Sequence, residues 1–104
     1  MKFDIILSPE ALDDLREFKA NEKAEVRDAI EQHLRHEPTK LSKSRIKRLR
    51  GTKRPQFRLR IGDDIRVFYD VNGEAVEVLA IVRKSAADQW LQQFGEPDET
   101  DPTV

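Results

Sequence analysis

The spacing of apolar residues predicts a short strand followed by two helices in the first third of the chain. Residues 2–7, KFDIIL, begin with alternating apolar and polar positions, as in a strand with one buried face. Ser8 is a suitable N-cap, and Pro9 suits the first position of a helix. Apolar residues then recur at helical spacing to about residue 20 and again over residues 22–36. The tight break between the two helices indicates an antiparallel helical hairpin.

A long loop and then three strands are predicted downstream. Residues 39–55 contain glycine and proline and predict a loop, with a helical turn around residues 44–49. Residues 56–61 and 65–71 alternate between apolar and polar positions, and an Asn-Gly pair then favours a tight hairpin turn. Residues 75–82 are almost all apolar, as in a central strand that is covered on both faces.

The pattern after the last strand predicts a short helix and then a tail. Ser85 and Asp88 have the spacing of a capping box, and Gly95 should end the helix. Residues 95–104 are acidic, contain two prolines and lack periodicity, which predicts a disordered tail. The resulting order is β-α-α-β-β-β-α. It indicates an α+β domain over residues 1–94, in which the helices, including the helical hairpin, pack on one face of a small, mostly antiparallel sheet.

The charges are segregated along the chain, although the net charge is only −1. Residues 38–62 hold ten Lys or Arg residues and no acid, whereas residues 1–37 have a net charge of −4. Arg58 and Arg60 alternate with apolar residues in one predicted strand, and Arg66 lies in the next. Guanidinium groups offer a planar fork of donors that matches phosphate oxygens. The pattern favours a polyanion site, and the alternative is an ordinary solvated face of the sheet.

The composition excludes several other kinds of site. The chain has no cysteine, so disulfides and cysteine-bound metals are excluded. His33 and His36 lie three residues apart without a nearby acid cluster, which is weak support for a metal site, and no metal or cofactor is predicted. No apolar run approaches the roughly 18 residues of a membrane span, and the first residues lack the features of a signal peptide. We therefore expect a soluble, cytoplasmic protein with no membrane partner.

Three stretches of the sequence together resemble one protein family. The first is the helix start SPEALDDL after a short strand. The second, KRLRGTKRPQFRLRIGDDIRVFYDV, combines basic residues around Leu and Gly with alternating Arg and Leu and a strand of the form Arg-Val-Phe-Tyr. The third is a Val-rich strand that ends in Arg83 and Lys84. Over about residues 3–94, these stretches resemble RelE-type toxins of the RelE/ParE superfamily, the toxin half of bacterial toxin–antitoxin pairs.

The resemblance implies an endoribonuclease that cuts messenger RNA in the ribosomal A site without a metal. The 2′-hydroxyl would attack the adjacent phosphate and leave a 2′,3′-cyclic phosphate and a 5′-hydroxyl. This reaction needs a proton acceptor, cations that hold the phosphorane charge, and a proton donor. By position, the resemblance implies that the catalytic residues are Arg58, Arg60, Arg66, Lys84 and Trp90.

Only Arg66 matches the corresponding residue of RelE in identity, and the replacements change the expected chemistry. Arginine binds phosphate well but is a poor proton acceptor. Lys84 can be tuned toward a base role by neighbouring cations. Trp90 can stack on a nucleobase or, alternatively, anchor the last helix in the core.

Seven other cations of residues 38–62, together with Arg83, are expected to contact the RNA backbone or an acidic segment of an antitoxin. They are Lys43, Arg45, Lys47, Arg48, Arg50, Lys53, Arg54 and Arg83. The partners that the resemblance implies are a cognate antitoxin, the ribosome and its messenger RNA. Promoter DNA is expected to bind only through the complex with the antitoxin.

Two other functions stay open at this point. One is a ParE-like toxin, which shares the fold but poisons DNA gyrase by binding and has no nuclease activity. The replaced lysines and tyrosine of the RelE pattern are compatible with it. The other is a catalytically decayed protein that still binds RNA or an antitoxin.

Overall fold

The computed structural model of the chain describes residues 2–97. The elements in chain order are β1 (Asp4–Leu7), α1 (Pro9–Arg16), α2 (Ala20–Ala29), the π-helical turn (Ile30–Leu34), β2 (Ile46–Arg48), β3 (Thr52–Arg54), β4 (Phe57–Ile61), β5 (Ile65–Asn72), β6 (Ala75–Arg83), α3 (Lys84–Phe94) and β7 (Glu96–Pro97).

A five-stranded sheet with the strand order β1-β6-β5-β4-β2 forms the centre of the fold. β1 runs parallel to β6, and the other neighbouring strands are antiparallel. The predicted α+β class and mostly antiparallel sheet are therefore confirmed. The strands β3 and β7 form a separate two-stranded sheet. None of the helices over residues 2–97 is long and apolar enough to cross a membrane.

The helical hairpin of α1 and α2 packs on one face of the sheet, as predicted. Ser8 caps α1, because its Oγ accepts a hydrogen bond of 3.0 Å from the backbone N–H of Ala11. The hairpin buries Leu15 and Val26 in one cluster with the inward-facing residues of the strands. The fully buried Tyr69 lies in the same cluster and donates a hydrogen bond of 2.6 Å to the carbonyl of Pro38. This contact ties the loop after the hairpin to the centre of the sheet.

A β-bulge in β6 explains why its sequence is almost continuously apolar. The register with β5 shifts between Phe68 and Tyr69, so that Leu79 is the extra residue of β6. Val78 before the bulge and Ile81 after it consequently face the same core. The backbone N–H of Ile81 donates a hydrogen bond of 3.0 Å to Asp14 of α1, which fastens α1 to the bulged strand.

The prediction that all helices lie on one face of the sheet is wrong for α3. Phe68 of β5 and Ala80 of β6 point away from the helical hairpin and form a second buried cluster with Ala87 of α3. Trp90 and Leu91 pack against this cluster from the same helix. The apolar positions Phe68 and Ala80 interrupt the polar side of their strands, and this is why a helix covers that part of the second face.

The helical turn predicted around residues 44–49 is wrong, because this segment contains strand β2. Ile46 is 3% exposed and pairs with Leu59 of β4, while the next residue, Lys47, pairs with Arg58. Successive side chains of a strand point to opposite faces, so Ile46 enters the core and Lys47 lies on the opposite face.

The predicted capping box at Ser85 is also wrong. α3 begins at Lys84, directly after β6, and Arg83 is its N-cap residue. The backbone N–H of Lys84 donates a hydrogen bond of 2.6 Å to the carbonyl of Asp64. This bond holds the start of the helix one residue before Ser85. Ser85 therefore lies inside the helix and is not its N-cap.

The acidic stretch predicted as a disordered tail begins with an ordered strand. Thr52 pairs with Pro97, and Arg54 pairs with Glu96, so that residues 96–97 form β7. The remainder of the stretch, residues 98–104, lies outside the described residues. The division into a toxin domain over residues 1–94 and a tail over residues 95–104 stays a prediction.

Candidate polyanion-binding site

Four cations lie together on the second face of the sheet, beside the part that α3 covers. Lys47 is the register partner of Arg58, and Arg60 is the register partner of Arg66. Register partners on antiparallel strands project from the same face. All four alternate with residues of the main core, so they project away from the helical hairpin. We refer to Lys47, Arg58, Arg60 and Arg66 as the arginine face.

Arg66 is the most enclosed cation of the arginine face, with only 5% of its surface exposed. Its Nη1 donates a hydrogen bond of 3.0 Å to the carbonyl of Ile65. Among the described residues, no carboxylate lies within 4.0 Å of its guanidinium. Burial lowers the pKa of Arg66, the positive charges of Arg58 and Arg60 lower it further, and the negative charges of Asp63 and Asp64 oppose this only in part. A buried cation that faces other cations is unfavourable unless an anion binds there.

Arg58 has a hydrogen-bond donor that is ready for an incoming acceptor. Its Nε is fully buried and has no hydrogen-bond partner within residues 2–97. A buried donor without an acceptor destabilises a fold by about 1–3 kcal/mol. An oxygen atom of a bound phosphate group would supply the missing acceptor and a negative charge at the same time.

Arg60 is held by the turn that follows its own strand. Its Nε donates a hydrogen bond of 3.0 Å to the carbonyl of Gly62, and its Nη2 lies 2.8 Å from a carboxylate oxygen of Asp63. The side chain of Asp63 is 98% exposed. Such an exposed ion pair contributes little stability, so a phosphate group can compete with Asp63 for this guanidinium.

Lys84 and Trp90 come from α3, at the edge of the arginine face. Lys84 is exposed at the start of the helix, two residues after Val82, which is the register partner of Arg66. The ring of Trp90 stacks on Phe68 at 5.0 Å with an angle of 7° between the planes. The ring of Phe94 lies 5.6 Å away from Trp90. Trp90 therefore anchors α3, and a nucleobase that stacks on it has to compete with Phe94.

The structure separates the other predicted RNA-binding or antitoxin-binding residues into three groups. Lys43, Arg50 and Lys53 are exposed on the loops and on β3. Arg45 lies 2.7 Å from His33, and Arg48 lies over the ring of Phe57 at 5.2 Å. The third group, Arg54 and Arg83, has carboxylate partners within the fold.

Arg83 and Arg54 are held by acids in ways that a structural role explains. Arg83 lies 2.6 Å from Glu22 and 2.7 Å from Asp64, and its guanidinium covers the ring of Phe18 at 4.6 Å. Arg54 lies 2.6 Å from the buried Asp70. Both arginines are therefore less available to an external anion than the arginine face.

Sequence reasoning missed two acids that matter for the site. Asp63 restrains Arg60, as described above. Asp70 accepts hydrogen bonds from Arg54 and, at 2.7 Å, from the backbone N–H of Gln56. The signal for Asp70 was present in the sequence, since it is a charged residue in the strand IRVFYDV at a position that alternates with Arg66 and Phe68.

The arrangement can bind and orient a phosphodiester and stabilise negative charge that develops on it. Arg58, Arg60 and Arg66 are not proton acceptors, because guanidinium groups stay protonated. Lys84 is the one predicted catalytic residue with a transferable proton at this edge. No group of three or more His, Cys, Asp or Glu side chains in the described part of the chain could hold a metal ion.

Comparison with known proteins agrees with this architecture. The RelBE2 toxin–antitoxin complex from Mycobacterium tuberculosis contains a chain with 22% identity and a TM-score of 0.63, covering 81% of this chain and 100% of that chain. The RelB–RelE complex from Methanococcus jannaschii gives 16% identity and a TM-score of 0.63, with coverages of 82% and 96%. The DinJ–YafQ complex from Escherichia coli gives 13% identity and a TM-score of 0.64, with coverages of 83% and 97%. At these identities the likeness shows the fold.

The fold is thus that of the RelE/ParE toxins, as the sequence resemblance predicted. The family model described as the ParE toxin of the type II toxin–antitoxin system parDE matches residues 5–87. The chain belongs to this family of toxins. No curated protein sequence matches the chain.

Proposed function

We propose that this toxin is a ribosome-dependent messenger-RNA endoribonuclease whose arginine face binds the scissile phosphate. The observation that carries the proposal is the position of Arg66, a buried guanidinium without a carboxylate partner among residues 2–97 and with Arg60 directly opposite. The unpartnered Nε of Arg58 on the same face supports it. Together these groups favour an anion of high charge density over an apolar ligand or a cation.

The proposed reaction assigns each group a role that its chemistry allows. Arg58 and Arg66 bind the non-bridging phosphate oxygens and stabilise the charge of the phosphorane, while Arg60 leaves Asp63 to join them. The 2′-oxygen attacks phosphorus while its hydroxyl proton passes to water, and the bond from phosphorus to the 5′-oxygen breaks. The ammonium group of Lys84 donates the proton that turns the departing 5′-oxygen into a hydroxyl, and Trp90 contacts a neighbouring base. The ribosome supplies the remaining alignment of the substrate.

The proposed partners follow from the family and from the charges. A cognate antitoxin is supported by membership of a toxin–antitoxin family and by neighbours solved as toxin–antitoxin complexes. An acidic antitoxin segment would compete with RNA for the arginine face. A toxin that acts on the ribosome and its messenger RNA would work in the cytoplasm, and promoter DNA would be bound through the antitoxin complex.

Primer extension on a defined messenger RNA in a reconstituted translation reaction tests this function. The wild-type chain should produce new 5′ ends at the A-site codon only when ribosomes are present. Arg66→Gln should lower the cleavage rate by about 10²–10³-fold, the usual effect of removing one group that stabilises developing negative charge. Arg27→Gln is the matched control, because Arg27 is an exposed cation on α2. Cleavage by Arg66→Gln at the wild-type rate would refute the assignment of the site.

Gyrase poisoning without cleavage is the second candidate function. It is favoured by the match to the ParE family model and by the three arginines, which bind anions but do not transfer protons. In this case the wild-type chain leaves messenger RNA intact and inhibits supercoiling by purified gyrase. Cleavage of messenger RNA together with unchanged supercoiling would exclude it.

A further inference from the structure

A groove opposite in character to the arginine face shares one residue, Trp90, with the candidate site. It runs between α3, the start of α1 and the bulge of β6, and its volume is about 590 Å³. Leu79, Trp90 and Phe94 form its apolar lining. Phe94 is 58% exposed, although it is a large apolar residue. A groove of this size accommodates a few side chains of a bound segment.

Carboxylates surround the apolar lining of the groove. Glu10, Asp13 and Asp14 come from α1, and Glu96 comes from β7. Burial raises the pKa of Asp14, and the nearby negative charges of Asp13 and Glu10 raise it further. These effects reflect the negative charge that accumulates in the groove. The groove therefore repels phosphate groups and attracts cations.

The one basic residue that lines the groove does not neutralise it. The guanidinium of Arg54 lies 2.6 Å from Asp70 and 3.9 Å from Glu77, and neither acid belongs to the lining. Arg54 is thus balanced by two acids of its own.

Asp14 already accepts a hydrogen bond of 3.0 Å from the backbone N–H of Ile81, and Asp13 forms an ion pair of 3.2 Å with Arg16. This ion pair is exposed and contributes little stability, so Asp13 and Glu10 can interact with a ligand.

Aromatic rings beside carboxylates also indicate which cation fits best. A guanidinium can stack on Trp90 or Phe94 while its N–H groups bind a carboxylate, and it is more weakly hydrated than an ammonium group. The apolar lining requires aliphatic neighbours on the same ligand. A protein segment with arginine next to leucine or isoleucine meets both requirements.

We propose that this groove docks a segment of a partner protein in which arginine alternates with large aliphatic residues. The proposal deepens the proposed function and rests on it only in naming the antitoxin as the partner. The antitoxin would contact the toxin twice, through an acidic segment at the arginine face and a basic, apolar segment at the groove. Two linked contacts strengthen binding far beyond either contact alone, because the second is intramolecular.

The single tryptophan of the chain is a direct reporter, because Trp90 lines the groove. The probe is the peptide acetyl-Leu-Arg-Leu-Arg-Leu-amide, titrated into the full chain while tryptophan emission is recorded. We expect a saturable change in emission. The same peptide with glutamine in place of arginine should bind about tenfold more weakly or not detectably.

The carboxylates around the apolar lining form the rim of the groove, and variants of the rim test whether the peptide binds there. Removing two carboxylates with Glu10→Gln and Asp13→Asn should weaken binding of the arginine peptide by about three- to tenfold. The control carries Glu25→Gln and Asp28→Asn, which remove two exposed acids of α2, and should bind as the wild type does. Because the titration uses neither ribosome nor RNA, its failure is distinguishable from failure of the nuclease function.

Three results would overturn the proposal. The first is equal binding of the glutamine and arginine peptides. The second is an equal loss of affinity in the rim variant and its control, which indicates general attraction to an acidic protein. The third is a change of Trp90 emission on adding a short oligoribonucleotide that disappears in the rim variant, which would assign the groove to nucleic acid.

Discussion

Replacing Arg66 with methionine should stabilise the fold while it removes anion binding. The Arg66 guanidinium is almost completely enclosed, faces Arg60 across the strands and has no carboxylate partner among the described residues. Methionine fills a similar elongated space without a charge to desolvate. A protein retains a destabilising charge such as that of Arg66 where the charge is needed for function.

The magnitude follows from the contacts of Arg66. Repulsion from a like charge directly opposite destabilises a sheet by about 0.2–1 kcal/mol, and Arg58 on the same face adds a further repulsion. Burial of the unpaired charge destabilises the fold by about 1–3 kcal/mol more, whereas the hydrogen bond to Ile65 stabilises it by about 1 kcal/mol. We expect Arg66→Met to raise the free energy of unfolding by about 1–2 kcal/mol, or the Tm by about 5–10 °C.

Urea and thermal unfolding followed by circular dichroism measure this effect. Arg27→Met serves as the control, since an exposed substitution should change the free energy of unfolding by about 0.5 kcal/mol or less. Inorganic phosphate should raise the Tm of the wild type and of the control but not that of Arg66→Met. If Arg66→Met unfolds more easily than the wild type by over about 1 kcal/mol, the guanidinium is a stabilising part of the fold and the reasoning is wrong.

Three further predictions concern acids that hold cations of this chain. Asp63→Asn should free Arg60 and tighten binding of a short oligoribonucleotide at low salt by about two- to fivefold, measured by fluorescence anisotropy. Asp70→Ala should lower the free energy of unfolding by about 2–3 kcal/mol in urea titrations, because the backbone N–H of Gln56 loses its buried acceptor. The hydrogen bond from Arg83 lowers the pKa of Glu22 from 4.5 to about 2. The stabilisation from this pair is therefore complete above pH 4.5 and is lost as the pH falls toward 2, and Glu22→Gln should flatten the decline of Tm in this range.

Each of these predictions has a result that would contradict it. Unchanged or weaker oligoribonucleotide binding by Asp63→Asn would mean that Asp63 does not withhold Arg60. An Asp70→Ala variant as stable as the wild type would show that Arg54 and Gln56 find other partners at no cost. An equally steep acid decline in Glu22→Gln would assign that decline to other carboxylates.

Local patterns were sufficient to predict most of the fold. The N-cap at Ser8 and the strict alternation from Phe57 to Ile61 are set by neighbouring residues, and the structure contains both. A tight turn is also present, but one residue later than predicted: Asn72 pairs with Ala75, and the two turn residues are Gly73, which has a positive φ, and Glu74. The side of the sheet that α3 covers was not predictable in this way. It depends on Phe68 and Ala80, which meet only after the bulge at Leu79 has set the register of two strands.

The arginine face shows the same limit at the level of the site. Alternation placed Arg58 and Arg60 on one face, and the register of β4 with β5 adds Arg66. Composition could not show that Arg83, though basic, is bound by Glu22, because sixty-one positions separate the two residues in sequence. Ion pairs between distant segments decide which cations of a basic stretch stay available to a ligand.

Cleavage of a messenger RNA with a single modified nucleotide tests the central claim most directly. The substrate carries either a ribonucleotide or a 2′-deoxynucleotide at the attacking position in the A-site codon, and both are offered to ribosomes with the wild type or with Arg66→Met. We predict that the wild type cuts only the ribonucleotide substrate, leaving a 5′-hydroxyl. Arg66→Met should cut that substrate about 10²–10³-fold more slowly, although it is the more stable protein. Cutting of the deoxynucleotide substrate by the wild type, or cutting of the ribonucleotide substrate by Arg66→Met at the wild-type rate, would contradict the account.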